Sequence, residues 1–259
     1  MFINVFRSAA LAVLVAGSIT AADDPFVGKW KYNQDKSKVT GQHVKIDELA
    51  PNKYKFDSGA VPQVLVADGT DQPMEFGGTA SLTKTGDNSW KMVSKKDGRV
   101  LSESTWTLSP DGKTLTVHTT GTRLDGTTFE DEGVVGRVTG KSGLAGTWET
   151  RAEKEMSTPA DWEIQPYERG ISFVYPSNKG RLDVKFDGKD YTEVGPNAPV
   201  WILTSGKRLK PDTIQITDKH QGKVIDTMEY KVSADGKTQT ATIHNTGQQK
   251  PVVAVYDRQ

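Results

Sequence analysis

The chain repeats itself once, and this duplication constrains its fold more than any other feature of the sequence. The Gly-Lys-Trp at 28–30 returns as Gly-Thr-Trp at 146–148, which places the two tryptophans 118 positions apart. Further along, Ser-Pro-Asp-Gly-Lys-Thr at 109–114 returns 124 positions later as Ser-Ala-Asp-Gly-Lys-Thr at 233–238. Solenoid repeats are roughly 20–50 residues long, so a period of this length indicates a duplicated domain.

Residues 1–22 have the three parts of a secretory signal peptide. Arg7 precedes an apolar run at 9–16, and small residues follow at 20–22. The alternative is an uncleaved membrane anchor, but the apolar run is far shorter than the roughly 20 residues that span a bilayer. We therefore expect cleavage near Ala21 or Ala22 and export to the periplasm or the extracellular space, with no membrane span in the mature protein.

The remainder has the composition of folded domains, with 25% charged and 35% apolar residues. We predict two domains, 23–140 and 141–259, each long enough for its own hydrophobic core. The 33 Lys and Arg residues equal the 33 Asp and Glu residues in number, a balance that argues against a nucleic-acid partner. There is no cysteine, so no disulfide supports either domain.

Asp-Gly dipeptides are the strongest local signal, because Asp-Gly favours the tight type I′ turn of a β-hairpin. They begin at residues 68, 97, 111, 125, 187 and 235. The segments between them are short, often alternate, and are rich in Thr, Val and aromatic residues, as half-buried strands are. In the first half they predict strands at 28–34, 42–49, 53–57, 62–68, 79–84, 89–96, 99–108, 113–120 and 127–138. We expect helical turns only around 34–38 and 152–156.

Period-two alternation assigns faces to the most regular strand. Val100, Ser102, Ser104, Trp106 and Leu108 share one side, as do their counterparts in the second half: Val224, Asp226, Met228, Tyr230 and Val232. Apolar residues recur at three of the five positions. We predict that this side faces the interior in both halves.

The Gly-x-Trp units resemble the first strand of the lipocalin and wider calycin group of ligand-binding barrels. In that group the tryptophan closes one end of the barrel and packs near a basic residue of the last strand. The resemblance assigns barrel closure to Gly28 with Trp30 and to Gly146 with Trp148. It suggests Arg137 and Arg258 as the basic partners.

A longer stretch, residues 24–38, resembles the opening of small secreted bacterial proteins described as lipocalin-like, and residues 253–257 resemble their ending. No activity is assigned to that group. Together these features predict an all-β fold: two tandem antiparallel up-and-down lipocalin-like β-barrels after a signal peptide.

Catalytic motifs are absent from the sequence: there is no cysteine nucleophile, Gly-x-Ser-x-Gly elbow, phosphate loop or His-Glu-x-x-His. The four histidines are far apart in sequence, so we predict no metal site and no cofactor. His118 and His244 occupy equivalent positions in strands that also carry several threonines. This polar row is either the solvent side of each strand or a polar wall that binds a ligand head group.

Bulky apolar side chains are the remaining ligand-binding candidates. They are Trp90, Met92, Trp106, Trp201, Met228 and Tyr230. Such residues either fill a small barrel as its core or line a cavity within it.

The sequence thus favours an exported, non-enzymatic binding protein whose barrels hold a small apolar or amphipathic ligand. It names no protein partner. One rival is a solid-packed module that acts through its surface, favoured by an exposed apolar patch near 138–148. A second rival is a barrel enzyme such as an isomerase or hydrolase, favoured by His118 clustered with acidic residues inside the barrel.

Overall fold

The described part of the chain folds into β-strands joined by turns, with almost no helix, as predicted. A computed structural model describes residues 24–74, 77–155, 161–196, 198–199 and 201–259. In chain order the described strands are β1 (Gly28–Tyr32), β2 (His43–Ala50), β3 (Lys53–Asp57), β4 (Gln63–Val66), β5 (Gln72–Pro73), β6 (Thr79–Gly86), β7 (Ser89–Lys96), β8 (Arg99–Leu108), β9 (Thr114–Thr122), β10 (Thr128–Thr139), β11 (Gly146–Glu155), β12 (Asp161–Tyr167), β13 (Gly170–Tyr175), β14 (Gly180–Lys185), β15 (Asp190–Tyr191), β16 (Ile202–Lys210), β17 (Thr213–His220), β18 (Lys223–Val232), β19 (Thr238–Asn245) and β20 (Val252–Arg258). The predicted signal peptide lies outside the described residues.

These strands form two ten-stranded antiparallel sheets, each rolled into a nearly closed barrel. The first barrel has the order β4-β3-β2-β11-β10-β9-β8-β7-β6-β5, and the second has the order β14-β13-β12-β1-β20-β19-β18-β17-β16-β15. A bridge between Asp68 and Thr83 draws the open edges of the first barrel together. A bridge between Arg181 and Val194 does the same in the second.

The two barrels exchange their first strands. β1 belongs to the first sequence repeat but pairs with β12 and β20 in the second barrel. β11 belongs to the second repeat but pairs with β10 and β2 in the first barrel. Each sheet therefore contains one strand from the other sequence repeat. The domain limits 23–140 and 141–259 stay a prediction.

The cores show the same exchange. Phe26 and Trp30 are fully buried among residues of β12 to β20, including Ile171 and Ile214. Leu144 and Trp148 are buried in the first barrel, against residues of β2 to β9. Each barrel thus takes the tryptophan of its Gly-x-Trp unit from the other repeat.

The predicted inward faces of β8 and β18 are confirmed over most of their length. Ser104, Leu108, Tyr230 and Val232 are buried, and Trp106 and Met228 pack against the two cores. The prediction is wrong at the first position of each row, where Val100 is 44% and Val224 is 45% exposed. The pairing skips Leu101 in β8 and Ile225 in β18, so the alternation breaks just before each valine, and Val100 and Val224 leave the inward face.

Four of the six Asp-Gly dipeptides, at residues 97, 111, 125 and 235, lie in hairpin turns between paired strands. The hairpin prediction is wrong at 68 and 187, because the strands on either side of these dipeptides lie at opposite edges of their sheets. The type I′ geometry predicted for all six is also wrong for most of them. Only at Asp97 does the aspartate itself have a positive φ, 51°. Elsewhere the glycine alone has a positive φ, and the aspartate carboxylate accepts a hydrogen bond from the backbone amide two residues on, as Asp111 does from Lys113 at 3.0 Å. This side-chain hydrogen bond stabilises a different turn with the same dipeptide.

Two short 3₁₀ helices interrupt the strands, Gln34–Lys36 and Pro176–Asn178. The first confirms the turn predicted around 34–38. The turn predicted around 152–156 is wrong, because residues 152–155 continue β11, and Met156 lies outside the described residues. No helix in the described part of the chain is both long and apolar enough to cross a membrane.

The barrels meet along a seam, where the side-chain amide of Gln248 forms hydrogen bonds with the backbone of His43 as a neighbouring strand would. The Gln248 side-chain amide accepts a hydrogen bond from the His43 backbone N–H (2.6 Å) and donates to the His43 carbonyl oxygen (2.8 Å). The same amide nitrogen lies 2.5 Å from the Ser58 carbonyl oxygen. Gly59 and Gly247 approach so closely that a Cβ on Gly247 would lie 2.6 Å from the Gly59 Cα. The seam is therefore held by specific polar contacts and by close backbone packing.

Candidate functional site

In each barrel an arginine packs over a buried tryptophan. The Arg258 guanidinium lies 4.2 Å from the Trp30 ring and donates to the carbonyl oxygens of Pro25, Val27 and Gly236. The Trp30 indole N–H donates to the Phe26 carbonyl at 2.8 Å. These contacts hold residues 25–30 against β20, while closure of the barrel end by Gly28 and Trp30 stays a prediction.

The first barrel has the same arrangement with other residues. Arg137 lies 4.1 Å from the Trp148 ring, and the Trp148 indole N–H donates to the Leu144 carbonyl at 2.8 Å. Gly146 has φ +143°, and a Cβ there would lie 2.2 Å from the Thr139 carbonyl oxygen. The glycine of each Gly-x-Trp unit therefore admits the arginine and the neighbouring backbone.

Inside the second barrel lies a cavity of about 320 Å³. This volume is at the lower end of the range for small-molecule sites. Leu182, Ile216 and Ile243 supply aliphatic wall, and Glu193, Thr204 and Asp218 supply polar groups. The cavity thus combines an apolar surface with a few convergent polar groups.

Five rings form the rest of the wall, and we call them the aromatic cluster: Trp162, Phe173, Tyr175, Tyr230 and Tyr256. Trp162 is at its centre. Its ring is stacked on Tyr256 at 4.6 Å between centroids and lies 5.6 Å from both Phe173 and Tyr230. β12, β13, β18 and β20 each supply at least one ring, so the cluster exists only when the barrel is assembled.

Two aspartates, which we call the acidic pair, lie near this cavity. Asp218 of β17 lines the cavity and is directly opposite Asp226 of β18. Facing residues in adjacent antiparallel strands have Cβ atoms roughly 4.5–5.5 Å apart. The Thr204 hydroxyl donates to Asp218 Oδ1 at 2.6 Å, whereas Asp226 Oδ1 is buried without a hydrogen-bond partner among the described residues.

Burial and mutual repulsion raise the pKa of these acids. Desolvation and the nearby Asp218 charge raise the pKa of Asp226 to about 7. Burial also raises the pKa of Asp218, which the Thr204 hydrogen bond partly offsets. The pKa of Glu193 is raised by burial and by Asp218, and lowered by Lys96 of the first barrel. Ionised carboxylates in this cavity therefore lack full compensation by protein groups.

The structure brings together only some of the sequence-predicted site residues. Met228 and Tyr230 line the cavity, and Tyr230 is 5% exposed. Trp201 precedes β16 and packs edge-on against His220, with ring centroids 5.3 Å apart. Trp90, Met92 and Trp106 belong to the core of the first barrel.

Both predicted histidines lie on the outer faces of their strands. His118 has the opposite orientation from its inward neighbours Leu115 and Val117, and its Nε2 lies 2.8 Å from Glu130 Oε1. His244 is exposed, next to the inward Ile243. Neither imidazole contacts the cavity.

Sequence reasoning missed Asp218, Glu193 and Tyr175 as cavity residues. Asp218 follows Ile214 and Ile216 at period two, so alternation along β17 places it inside the barrel. Glu193 lies in a segment without regular structure, where no periodicity reports its direction. The proposed surface patch at 138–148 is reduced to Val138, because Leu144 and Trp148 are buried.

Fold and cavity together define a tandem β-barrel protein. Comparison with protein-family models, with curated proteins and with solved structures finds no match to this chain. Within the described residues, no group of three or more His, Asp and Glu side chains could hold a metal ion.

Proposed function

We propose that this protein binds a small ligand with an apolar body in the cavity of the second barrel. The observation that carries the proposal is the cavity itself, about 320 Å³ within a barrel and walled by the aromatic cluster. Burial of a ligand against this wall contributes roughly 25 cal/mol per Å² of apolar surface before the costs of association. Export to the periplasm or extracellular space, expected from residues 1–22, is part of the proposal.

The wall is well suited to reversible binding. Its rings come from strands on both sides of the cavity, and Arg258 with Trp30 closes the end beneath them. Aromatic rings bury large areas at little entropic cost, and the polar groups orient the ligand. No covalent step is needed for such a function.

The proposal is tested with three probes that share a phenyl ring on a short arm: neutral phenethyl alcohol, cationic phenethylamine and anionic hydrocinnamate. Isothermal titration calorimetry on the mature chain should detect binding of at least one. Ile243→Phe fills the cavity from β19 and should weaken that binding at least about tenfold. His244→Phe, the matched control on the outer face of the same strand, should leave it unchanged.

Two results would contradict this function. One is that none of the three probes binds. The other is that Ile243→Phe and His244→Phe have equal effects on the probe that does bind, which would place the binding site outside the cavity.

A further inference from the structure

The acidic pair has no cationic partner in the protein. Among the described residues, no Lys, Arg or His forms an ion pair with Asp218, Asp226 or Glu193, and Lys96 reaches Glu193 only as a more distant charge. Two ionised carboxylates on facing residues repel each other. A buried pair of this kind is unfavourable unless a positive charge or a proton joins it.

The barrel scaffold does not require these acids. The facing pair Ser94 and Ser102 occupies the same register in the first barrel, immediately before the same strand irregularity. Ala80 takes the place of Thr204 beside it. The first barrel folds with small side chains at these positions. The carboxylates of the second barrel are therefore not needed to form the fold, and we look for their role in binding.

Two polar groups near the cavity are available to a bound N–H donor. Asp226 Oδ1 is buried and has no hydrogen-bond partner among the described residues. Buried polar atoms are normally paired in folded proteins. Tyr175 lines the cavity, and its partly buried ring packs against the core of the second barrel. The Asp226 oxygen and the Tyr175 hydroxyl are both able to accept a hydrogen bond from an N–H group.

We propose that the ligand of the second barrel is an organic cation, an amine whose ammonium group lies near Asp218 and Asp226 and whose apolar body packs on the aromatic cluster. The inference rests on the proposed binding function. Aromatic faces attract ammonium groups electrostatically, most strongly where water is excluded. Each ring within reach of the charge therefore adds to the attraction of the carboxylates. An organic cation uses both parts of the wall, whereas a bare metal ion would use only the acids.

The test compares phenethylamine with phenethyl alcohol and hydrocinnamate on the mature chain by calorimetry. At about pH 8, above the pKa of Asp226, the amine should bind at least about tenfold tighter than either counterpart. The double variant Asp218→Ser/Asp226→Ser installs the residues that the first barrel carries. It should reduce this preference to about twofold or less, with binding of the alcohol unchanged.

Glu229→Ser is the matched control, because it removes an exposed carboxylate from the outer face of β18. It should keep the full preference for the amine, which separates a local effect from a change in net charge. Removal of a buried, unpaired charge does not destabilise a fold, so the double variant should melt no lower than the wild type. The single variant Asp226→Asn provides the same comparison with a smaller change of shape.

The outcomes distinguish the inference from the function on which it rests. Binding of the alcohol or hydrocinnamate as tight as that of the amine overturns the cationic ligand and leaves the binding function standing. Full preference for the amine in the double variant also overturns the inference. Failure of all three probes overturns the function and the inference together.

Discussion

The guanidinium of Arg258 lies over the ring of Trp30, although the two residues are near opposite ends of the folded chain. The equivalent pair in the first barrel, Arg137 and Trp148, is separated by a single turn. Both pairs place a guanidinium over an indole ring. The difference in separation is a direct consequence of the strand exchange between β1 and β11.

Trp30→Ala should therefore destabilise the second barrel and spare the first. Loss of a fully buried tryptophan costs about 3–5 kcal/mol in free energy of unfolding. Hydrogen exchange should lose protection in β12 and β16–β20, with β2–β10 unaffected. Trp148→Ala, the matched variant, should give the reverse pattern. Loss of protection in β2–β10 on changing Trp30 would show that β1 closes the barrel of its own repeat.

The exchange also predicts that the chain tolerates circular permutation. A short linker from Gln259 to Asp24 would join β20 to β1 as a hairpin, in the way that residues 140–145 join β10 to β11. With new termini between Val39 and Thr40, the permutant should fold and melt at least as high as the parent, since closing a shorter loop costs less entropy. Deletion of residues 24–39 without reinsertion is the control, and it should destabilise the second barrel. Equal melting of the deletion and the parent would contradict the pairing of β1.

Asp226 should make folding stability depend on pH near neutrality. Its pKa rises to about 7 on folding, above the usual value of 3.8, so the folded state binds the proton more tightly. The free energy of unfolding should therefore be greatest at low pH and fall as pH rises from about 4 to about 7. Solvent at the rim reduces the effect of the pKa shift, and we expect Asp226→Asn to recover about 2 kcal/mol at about pH 8.

Urea unfolding at about pH 5 and about pH 8 measures this difference. The pKa values of Asp218 and Glu193 are also raised, so these two acids add to the fall in the free energy of unfolding with rising pH. Lys96 reduces this contribution from Glu193, because its charge lowers the pKa of that acid. Asp235→Asn is the control, because hydrogen bonds lower the pKa of that exposed acid and its titration lies below this window. A wild-type protein equally stable at both pH values would contradict the buried position of Asp226.

Gln248→Ala should loosen the seam between the barrels. The change removes the partners of the His43 N–H and of two carbonyl oxygens, at a cost of about 1–3 kcal/mol where those groups remain shielded from water. Amides at 42–44 and 58–60 should exchange faster, while both barrel cores keep their protection. Gln249→Ala, an exposed neighbour, should change nothing. Unaltered exchange at His43 would mean that the backbone contact of Gly59 and Gly247 suffices.

Much of the fold could be predicted from local pattern. Alternation placed Trp106, Leu108, Tyr230 and Val232 inside the barrels, because side-chain direction depends only on neighbouring positions in a strand. The Asp-Gly dipeptides at 97, 111, 125 and 235 marked hairpin turns even where the turn type was wrong, whereas those at 68 and 187 lie between strands that do not pair. Strand limits from the sequence agree closely with those of β2, β3, β7 and β8.

Strand partnership could not be predicted in the same way. β1 and β11 both begin with a Gly-x-Trp unit, so the motif alone does not assign either strand to a barrel. The choice depends on connections and long-range packing that no local pattern reports. Comparison of the repeats did match Asp226 with Ser102. That Asp226 belongs to a pair of facing carboxylates became visible only from the strand register, which places Asp218 opposite it.

The pairing of β1 with β20 has a consequence for the order of folding. The chain is made from its N-terminus, so β2 to β11 are complete while β12 to β20 do not yet exist. The first barrel can fold at that stage, because domains fold as their residues become available. β1 is made before all the other described strands but can be seated only after them, since one of its two neighbours is β20. Until then the second barrel has unpaired edges at β12 and β20 that invite association with other chains, and the pairing of β1 sets the time at which that exposure ends.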